Sequence, residues 1–484
     1  MKLKQKNNMK NLTSVLILFA VIAVSITSCS KDDPCDGRVC EDGQILDAIS
    51  CVCVTLDQCE SVICASGEIK TADCDCITQD PCASITCASG EICEDGTCVE
   101  DTNALREVTV AGFVNDGDTW TPDNIYIMTG KVVVPQGATL TIEPGTIIKG
   151  AEGEGTLASV LVVARGARLI ADGTAENPII FTSVRDNIQS GQIAGTNLDE
   201  TQVGLWGGLI ILGNAPVSVE TGLTSQIEGI PASDSFGVYG SDNPTDDSGI
   251  IRYVSVRHGG ATIGEGNEIN GITFGGVGSG TIVENIEIVG NQDDGLEWFG
   301  GTVNVTNALV WAQGDDAYDI DQAYAGTIDN YIYIAGPDSD HGLEIDGPEG
   351  AANADGRFTM RNGTLKGLFS EYADFRDNAQ GTVENSYFFD FPENADIELD
   401  DNATSANYFA NILVINGNEI NTSHLTAGNR TIEDLVSDRS DAADEIAFDG
   451  QMSMDNNIVT SQSVGADTSV FEWTYAMSRG ALNN

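Results

Sequence analysis

Cations are what this chain most conspicuously lacks. Lys and Arg together number 22 against 74 Asp and Glu, a formal charge of −52, more negative still once Lys2, Lys4, Lys6 and Lys10 of the leader are set aside. Such a surface repels nucleic acid, polyuronates and anionic headgroups unless a cation intervenes, so no nucleic-acid partner is expected. Histidine is scarcer, three in all; His258 and His424 stand isolated and read as structural, and only His341 lies in an acidic run. No cysteine follows Cys98. The chain also lacks a long amphipathic helical pattern before its end, a nucleophilic serine motif, a phosphate loop and a zinc motif. Only Arg361, Lys366 and Arg376 lie near the acidic stretch, with no pairing that suits a lyase base.

What is present begins with a leader. Basic Lys2 to Lys10 precede an apolar stretch, Leu12 to Ile26, of signal-peptide length and too short for a comfortable span. It runs into Ser25-Ile26-Thr27-Ser28-Cys29, which resembles a bacterial lipobox. The resemblance implies cleavage after residue 28 and acylation of Cys29. Ser30-Lys31-Asp32-Asp33 resembles the short acidic tag of outer-surface lipoproteins of the Bacteroidota. Residues 29–34 are then a lipidated tether, and the outer membrane, facing the exterior, is the expected location.

The other twelve of the thirteen cysteines fall into three sets over residues 35–100: Cys35, Cys40, Cys51, Cys53; Cys59, Cys64, Cys74, Cys76; Cys82, Cys87, Cys93, Cys98. Each opens on Cys-x4-Cys. An even count in an exported chain reads as disulfides, two per module, with the pairing left open. Zinc is the rival reading, but this spacing without histidine suits it poorly. The modules loosely resemble EGF-like repeats and are too small to fold on an apolar core, so crosslinks must hold them. A semi-rigid stalk is expected.

From residue 103 to 484 short β-branched runs alternate with Gly, Asn and Asp turns. Blocks recur about every two dozen residues: Asp293-Asp294-Gly295-Leu296-Glu297, Asp315-Asp316-Ala317-Tyr318-Asp319, Asp340-His341-Gly342-Leu343-Glu344. Asn285, Asn307, Asn330, Asn362 and Asn385 keep pace, each after a β-branched run. Four-stranded propeller blades need longer repeats, and a sandwich would not keep one turn residue in step. A right-handed parallel β-helix, all-β, fits, with stacked Asn ladders between coils. The stretch resembles the pectin-lyase-like superfamily. Leu140 to Thr146, Asn267 to Gly278 and Asp293 to Val303 are similar to a group of secreted bacterial β-helix lipoproteins. Residues 186–248 should loop over one side, and Phe471 to Ala476 should cap the last coil.

Strand alternation points Leu296, Trp298, Tyr318, Ile320, Leu343, Ile345, Phe375 and Ile397 inward. It points Glu297, Asp319, Asp321, Glu344, Asp346, Asp374, Asp396 and Glu398 outward, with Arg376. Carboxylates stacked this closely repel; Arg376 or a bound Ca²⁺, position unassigned, would compensate, or solvent would screen them. The order Asp294, Asp315-Asp316, His341, Arg376 on successive coils is similar to that of polygalacturonase-type glycoside hydrolases. That resemblance implies Asp316 as acid, Asp294 or Asp315 as base, His341 as orienting group and Arg376 on substrate. Asp340 stands where the family's Gly-His-Gly begins with glycine, and Arg376-Asp377-Asn378 lacks the family's lysine. Two functions follow: a rigid binding or adhesive module for an extracellular glycan or protein, with outward aromatics such as Phe299, or a polysaccharide hydrolase.

Overall fold

The computed structural model describes residues 106–482 apart from 232, 264–267, 349–355, 426–429 and 440–444; before Arg106 it describes six short strands and Val52, Cys82 and Ile85. The leader, Cys29, Cys35, Cys40, Cys51, Cys59, Cys64, Cys74 and Cys87 lie outside the described residues. Among those described, no helix is long and apolar enough to cross a membrane.

The chain divides into two compact units, Met1–Ala104 and Leu105–Asn484. In the first, every four-cysteine set carries one antiparallel hairpin: Gln44–Leu46 with Cys53–Thr55, Glu68–Lys70 with Cys76–Thr78, and Glu91–Glu94 with Thr97–Glu100. Cys82 is bonded to Cys93, and Cys53 and Cys98 are also disulfide-bonded. Oxidised sulfurs are not zinc thiolates, so disulfides hold at these positions.

The second unit is a parallel β-helix. Its coil strands pair in parallel with the strands one coil before and after and form three faces, while Ser225–Gln226 and Val238–Tyr239 make a separate antiparallel pair. One face runs through Val160–Val163, Leu209–Leu212, Ile272–Gly275, Leu296–Phe299, Tyr318–Asp321, His341–Asp346, Glu371–Arg376 and Ile397–Leu399. Inside, like stacks on like: Leu296, Tyr318, Leu343, Ala373 and Ile397 form one ladder, and Val283, Val305, Ile328, Met360, Val383 and Ile415 form another on a second face. All are buried. Trp298 lies between Phe274 and Tyr324, with ring centres 5.7 and 5.6 Å away. The inward residues expected from alternation are therefore inward.

The asparagine marker has a backbone cause. Asn285, Asn307, Asn330, Asn362 and Asn385 all have φ between 53° and 62°, the left-handed region that asparagine tolerates better than branched residues. Each turns one corner of a coil. Asn307 Nδ2 donates to Asn285 Oδ1 at 2.9 Å, and Asn330 Nδ2 to Asn307 Oδ1 at 2.7 Å. At the next coil Asn362 Nδ2 turns to Asp329 Oδ1 instead, at 2.7 Å. Asn307→Ala should cost about 2–3 kcal/mol, from left-handed strain and two lost amide bonds, whereas Asn307→Gly should cost about 1 kcal/mol, from the bonds alone. Urea midpoints of the two variants check this ordering.

Two expectations are corrected here. Phe471 and Tyr475 do not cap the last coil; they pack on Val289, Leu309, Trp311, Ile332 and Ile334, along the side of the middle coils. Their anchor is Glu287, fully buried, which accepts from the amides of Tyr475 and Ala476 at 3.1 and 2.8 Å. Near the last coil, Phe448 and Met452 of helix Glu445–Asp455 enter the main core instead. Phe299 is also not an exposed aromatic. It leaves the coil outward but is buried beside Tyr239, Val217 and Ile227 from the 213–248 loops.

Candidate functional site

On the first face the register brings five carboxylates into one unbroken ladder: Glu297, Asp319, Glu344, Asp374 and Glu398. All five point away from the core, and all five are at most 9% exposed, as is Asp346; Asp321 and Asp396 are half-buried. A solvent-screened acidic surface is therefore not what the chain builds. Turn and loop residues rise beside the ladder and enclose it.

The enclosed space is a cleft of about 430 Å³. Glu228, Glu268, Asp293, Asp294, Glu297, Asp315, Asp316, Asp319 and Glu344 line it, with Arg376 as its one cation. Asn270 and Thr273 add neutral polar groups, and Ile210, Ile269 and Phe299 a small apolar wall.

The repeated Asp-Asp block has a structural role at its second position. Asn270 Oδ1 accepts the amide of Asp294 at 3.2 Å, Asp294 Oδ1 that of Asp316 at 3.0 Å, and Asp316 Oδ1 that of His341 at 2.7 Å. Each Asx side chain thus stitches its coil to the next. Glycine follows Asp294 because a Cβ at Gly295 would strike Val310 and the Ala317 carbonyl. The first residue of the block, Asp293 or Asp315, is left to face the cleft.

Charge compensation divides the ladder in two. Arg376 pairs with Glu344, with Asp346 at 2.6 Å and with Asp374 at 3.8 Å, and Arg439 pairs with Glu398 and with Asp396 at 3.6 Å. His341 Nδ1 lies 3.0 Å from Asp316 Oδ1. Among the described residues no ion pair reaches Asp293, Asp294, Glu297, Asp315 or Asp319. Burial raises carboxyls on both sides of that division, Asp374 to about 6 and Glu398 to about 7 despite their arginines. Burial, then repulsion from Asp315, pushes Asp293 up to about 7. Partial desolvation at the cleft wall, then Asp316 and Asp340, pushes the otherwise exposed Asp315 to about 6. Asp294, Glu297 and Asp319 are held well above the carboxylate range by burial first and their neighbours second. Burial alone would lower His341, but the hydrogen bond and charge of Asp316 carry it to about 9, so it is an imidazolium at neutral pH.

All the expected site residues lie along this face. Asp294, Glu297, Asp315, Asp316, Asp319, Glu344 and Arg376 line the cleft itself; Asp346, Asp374, Asp396 and Glu398 continue the face toward the C-terminus, Asp321 flanks the ladder, and His341 sits behind Asp316. Asp293, Glu228, Glu268 and Asn270 were not among them. Asn270-Gly271 shares the Asx-Gly signature of Asp294-Gly295, a signal in the sequence, whereas Glu228 and Glu268 come from loops outside the repeat.

His258 and His424 are structural. His258 Nδ1 meets the Gln202 carbonyl at 2.8 Å and burial lowers it to about 4; His424 Nε2 donates to the Phe391 carbonyl at 2.7 Å.

A family model described as the pectate-lyase-like β-helix domain matches residues 112–478. No curated protein matches the chain, and no solved structure matches it. The in-register coils, the inward ladders and a match over most of its length agree: the chain belongs to the pectate-lyase-like β-helix domain family.

Proposed function

We propose that the chain is a lipoprotein, anchored through Cys29 at the outer membrane and facing outward, whose β-helix is a rigid glycan-binding module. The leader and lipobox support the anchor, and the pectate-lyase-like family supports a carbohydrate-related module. The cleft carries the reading. Nine carboxyl groups and one guanidinium around about 430 Å³ offer many acceptors for sugar hydroxyls on a scaffold that cannot collapse. Its charge repels acidic polysaccharides, so a neutral glycan is the ligand class.

A hydrolase is the second reading, favoured by one observation. Asp294, raised well above the usual carboxylate range by burial first, adjoins Asp316, which faces the His341 imidazolium. Asp294 would then be the acid and Asp316 the base, the reverse of the roles implied by the polygalacturonase resemblance. Against it, Asp294 Oδ1 accepts the amide of Asp316 and Asp316 Oδ1 that of His341, so both carboxyls are already engaged in joining one coil to the next. Binding without turnover is the better account.

A glycan array combined with a reducing-sugar assay decides. Wild type should bind neutral glycans and release no sugar ends, and Asp293→Asn should weaken binding at least tenfold. Sugar release that disappears in Asp316→Asn would establish the hydrolase. Binding to no glycan would end the module reading.

A further inference from the structure

The third face of the β-helix carries a second cleft, of about 400 Å³, that shares no lining residue with the acidic one. Register builds its floor. Ile332, Thr364 and Tyr387 stack as one outward column, and Ile334, Lys366 and Phe389 as the next. Gln462 and Leu482 of the C-terminal strap contribute to the walls. The strap is fastened to the floor where Thr364 Oγ1 accepts the amide of Ala466 at 2.9 Å.

Charge sets this cleft apart. No carboxylate lines it, in a chain with 74 acidic residues. The acidic residues on the segments that frame it turn to backbone instead. Glu419 accepts the amides of Ser463 and Val464 at 2.6 and 3.3 Å, and Asp467 that of Ser469 at 3.0 Å. Lys366 is half-buried on the floor, and no ion pair reaches its ammonium among the described residues. Its Nζ lies 5.8 Å from the ring centre of Phe389, which stacks on Tyr387 with ring centres 5.1 Å apart. An ammonium with free donors beside aromatic and aliphatic walls matches one ligand shape: a flat apolar body that ends in an anion.

We propose that this cleft binds a small aromatic carboxylate, its anion on Lys366 Nζ and its ring against Phe389, Ile334 and Leu482. The volume, about 400 Å³, falls at the small end of the roughly 300–1,000 Å³ of small-molecule pockets. An acidic polymer is excluded, because the rest of the surface repels its many charges. A single carboxylate needs one cation, and the cleft holds one.

The site is independent of the glycan reading, since it lies on another face and takes another ligand. The test is a ligand-observed NMR titration of the full chain with benzoate, benzamide and acetate. Benzoate should bind saturably at millimolar concentration. Benzamide lacks the charge and acetate the ring, so each should bind at least tenfold more weakly. Lys366→Met keeps the apolar stem and has no ion pair to lose; it should melt with the wild type and bind benzoate at least tenfold more weakly. Lys366→Arg should retain binding. Arg361→Gln removes the same charge from the same strand outside the cleft, and should bind as wild type. No saturation by benzoate, equal affinity for benzamide or acetate, or equal binding by Lys366→Met would overturn the proposal.

Discussion

Glu287→Ala should destabilise the β-helix by about 3–5 kcal/mol, the range expected when one partner of a buried ionic network is removed. Glu287 is fully buried and collects four interactions: the Ser255 hydroxyl at 2.6 Å, the amides of Tyr475 and Ala476, and Arg257 at 3.9 Å. Arg257 is itself 1% exposed and stacks over Tyr475, 4.7 Å from the ring centre. Removing the carboxylate strands that guanidinium and releases two amides whose segment returns from 188 residues away. The C-terminal strap should therefore detach from Trp311 and Ile332 before the coils melt. Urea denaturation followed by the fluorescence of Trp311 and Trp473 checks both the size and the order. Glu287→Ala/Arg257→Met should recover part of the loss, because the uncompensated charge is gone.

Metal-free protein should be more stable at pH 4 than at pH 7, against the usual behaviour of an acidic protein whose carboxylates are paired. Asp293 is carried from 3.8 to about 7, Asp315 and Asp374 to about 6, and Glu398 from 4.5 to about 7. A folded-state value above the unfolded one means that the native chain holds more protons. The stability contributed is complete below the unfolded value and lost as pH rises through the folded one. The window is therefore pH 4 to 7, and the displacement of Asp293 alone corresponds to on the order of 4 kcal/mol. His341, raised to about 9, acts in the same direction at higher pH. His258, lowered to about 4, acts oppositely and limits the gain at the acid end. Urea midpoints in chelator across this range should fall with pH in wild type and flatten in Asp293→Asn.

Much of this architecture was legible in the sequence because the period of a solenoid is a period of structure. The alternation around Leu296-Glu297-Trp298 placed core and face correctly, since each coil repeats the register of the last. The asparagine corners were visible because left-handed backbone restricts the residue type at one position per turn. Burial of the acidic face was not legible. Its cover, from the 213–248 loops, Glu228 and Glu268, follows no period, and nothing in a loop's composition says which face it will close. Nor could spacing reveal that Asp294 and Asp316 stitch backbone between coils, because that depends on which oxygen meets which amide. The destination of Phe471 to Ala476 was hidden for the same reason: an aromatic segment declares that it will be buried, not against what. The buried acceptor Glu287 offered no signal beyond one acidic residue in a strand.

Beneath the proposed function lies one physical claim, that Asp294, Glu297 and Asp319 are buried and that no ion pair reaches them among the described residues. Infrared titration of the metal-free protein measures it most directly. The protonated-carboxyl C=O band should persist above pH 5, beyond the ordinary carboxylate range, and it should shrink markedly in Asp294→Asn/Glu297→Gln/Asp319→Asn. A band already gone by pH 5, or one that the triple substitution leaves unchanged, would contradict the account.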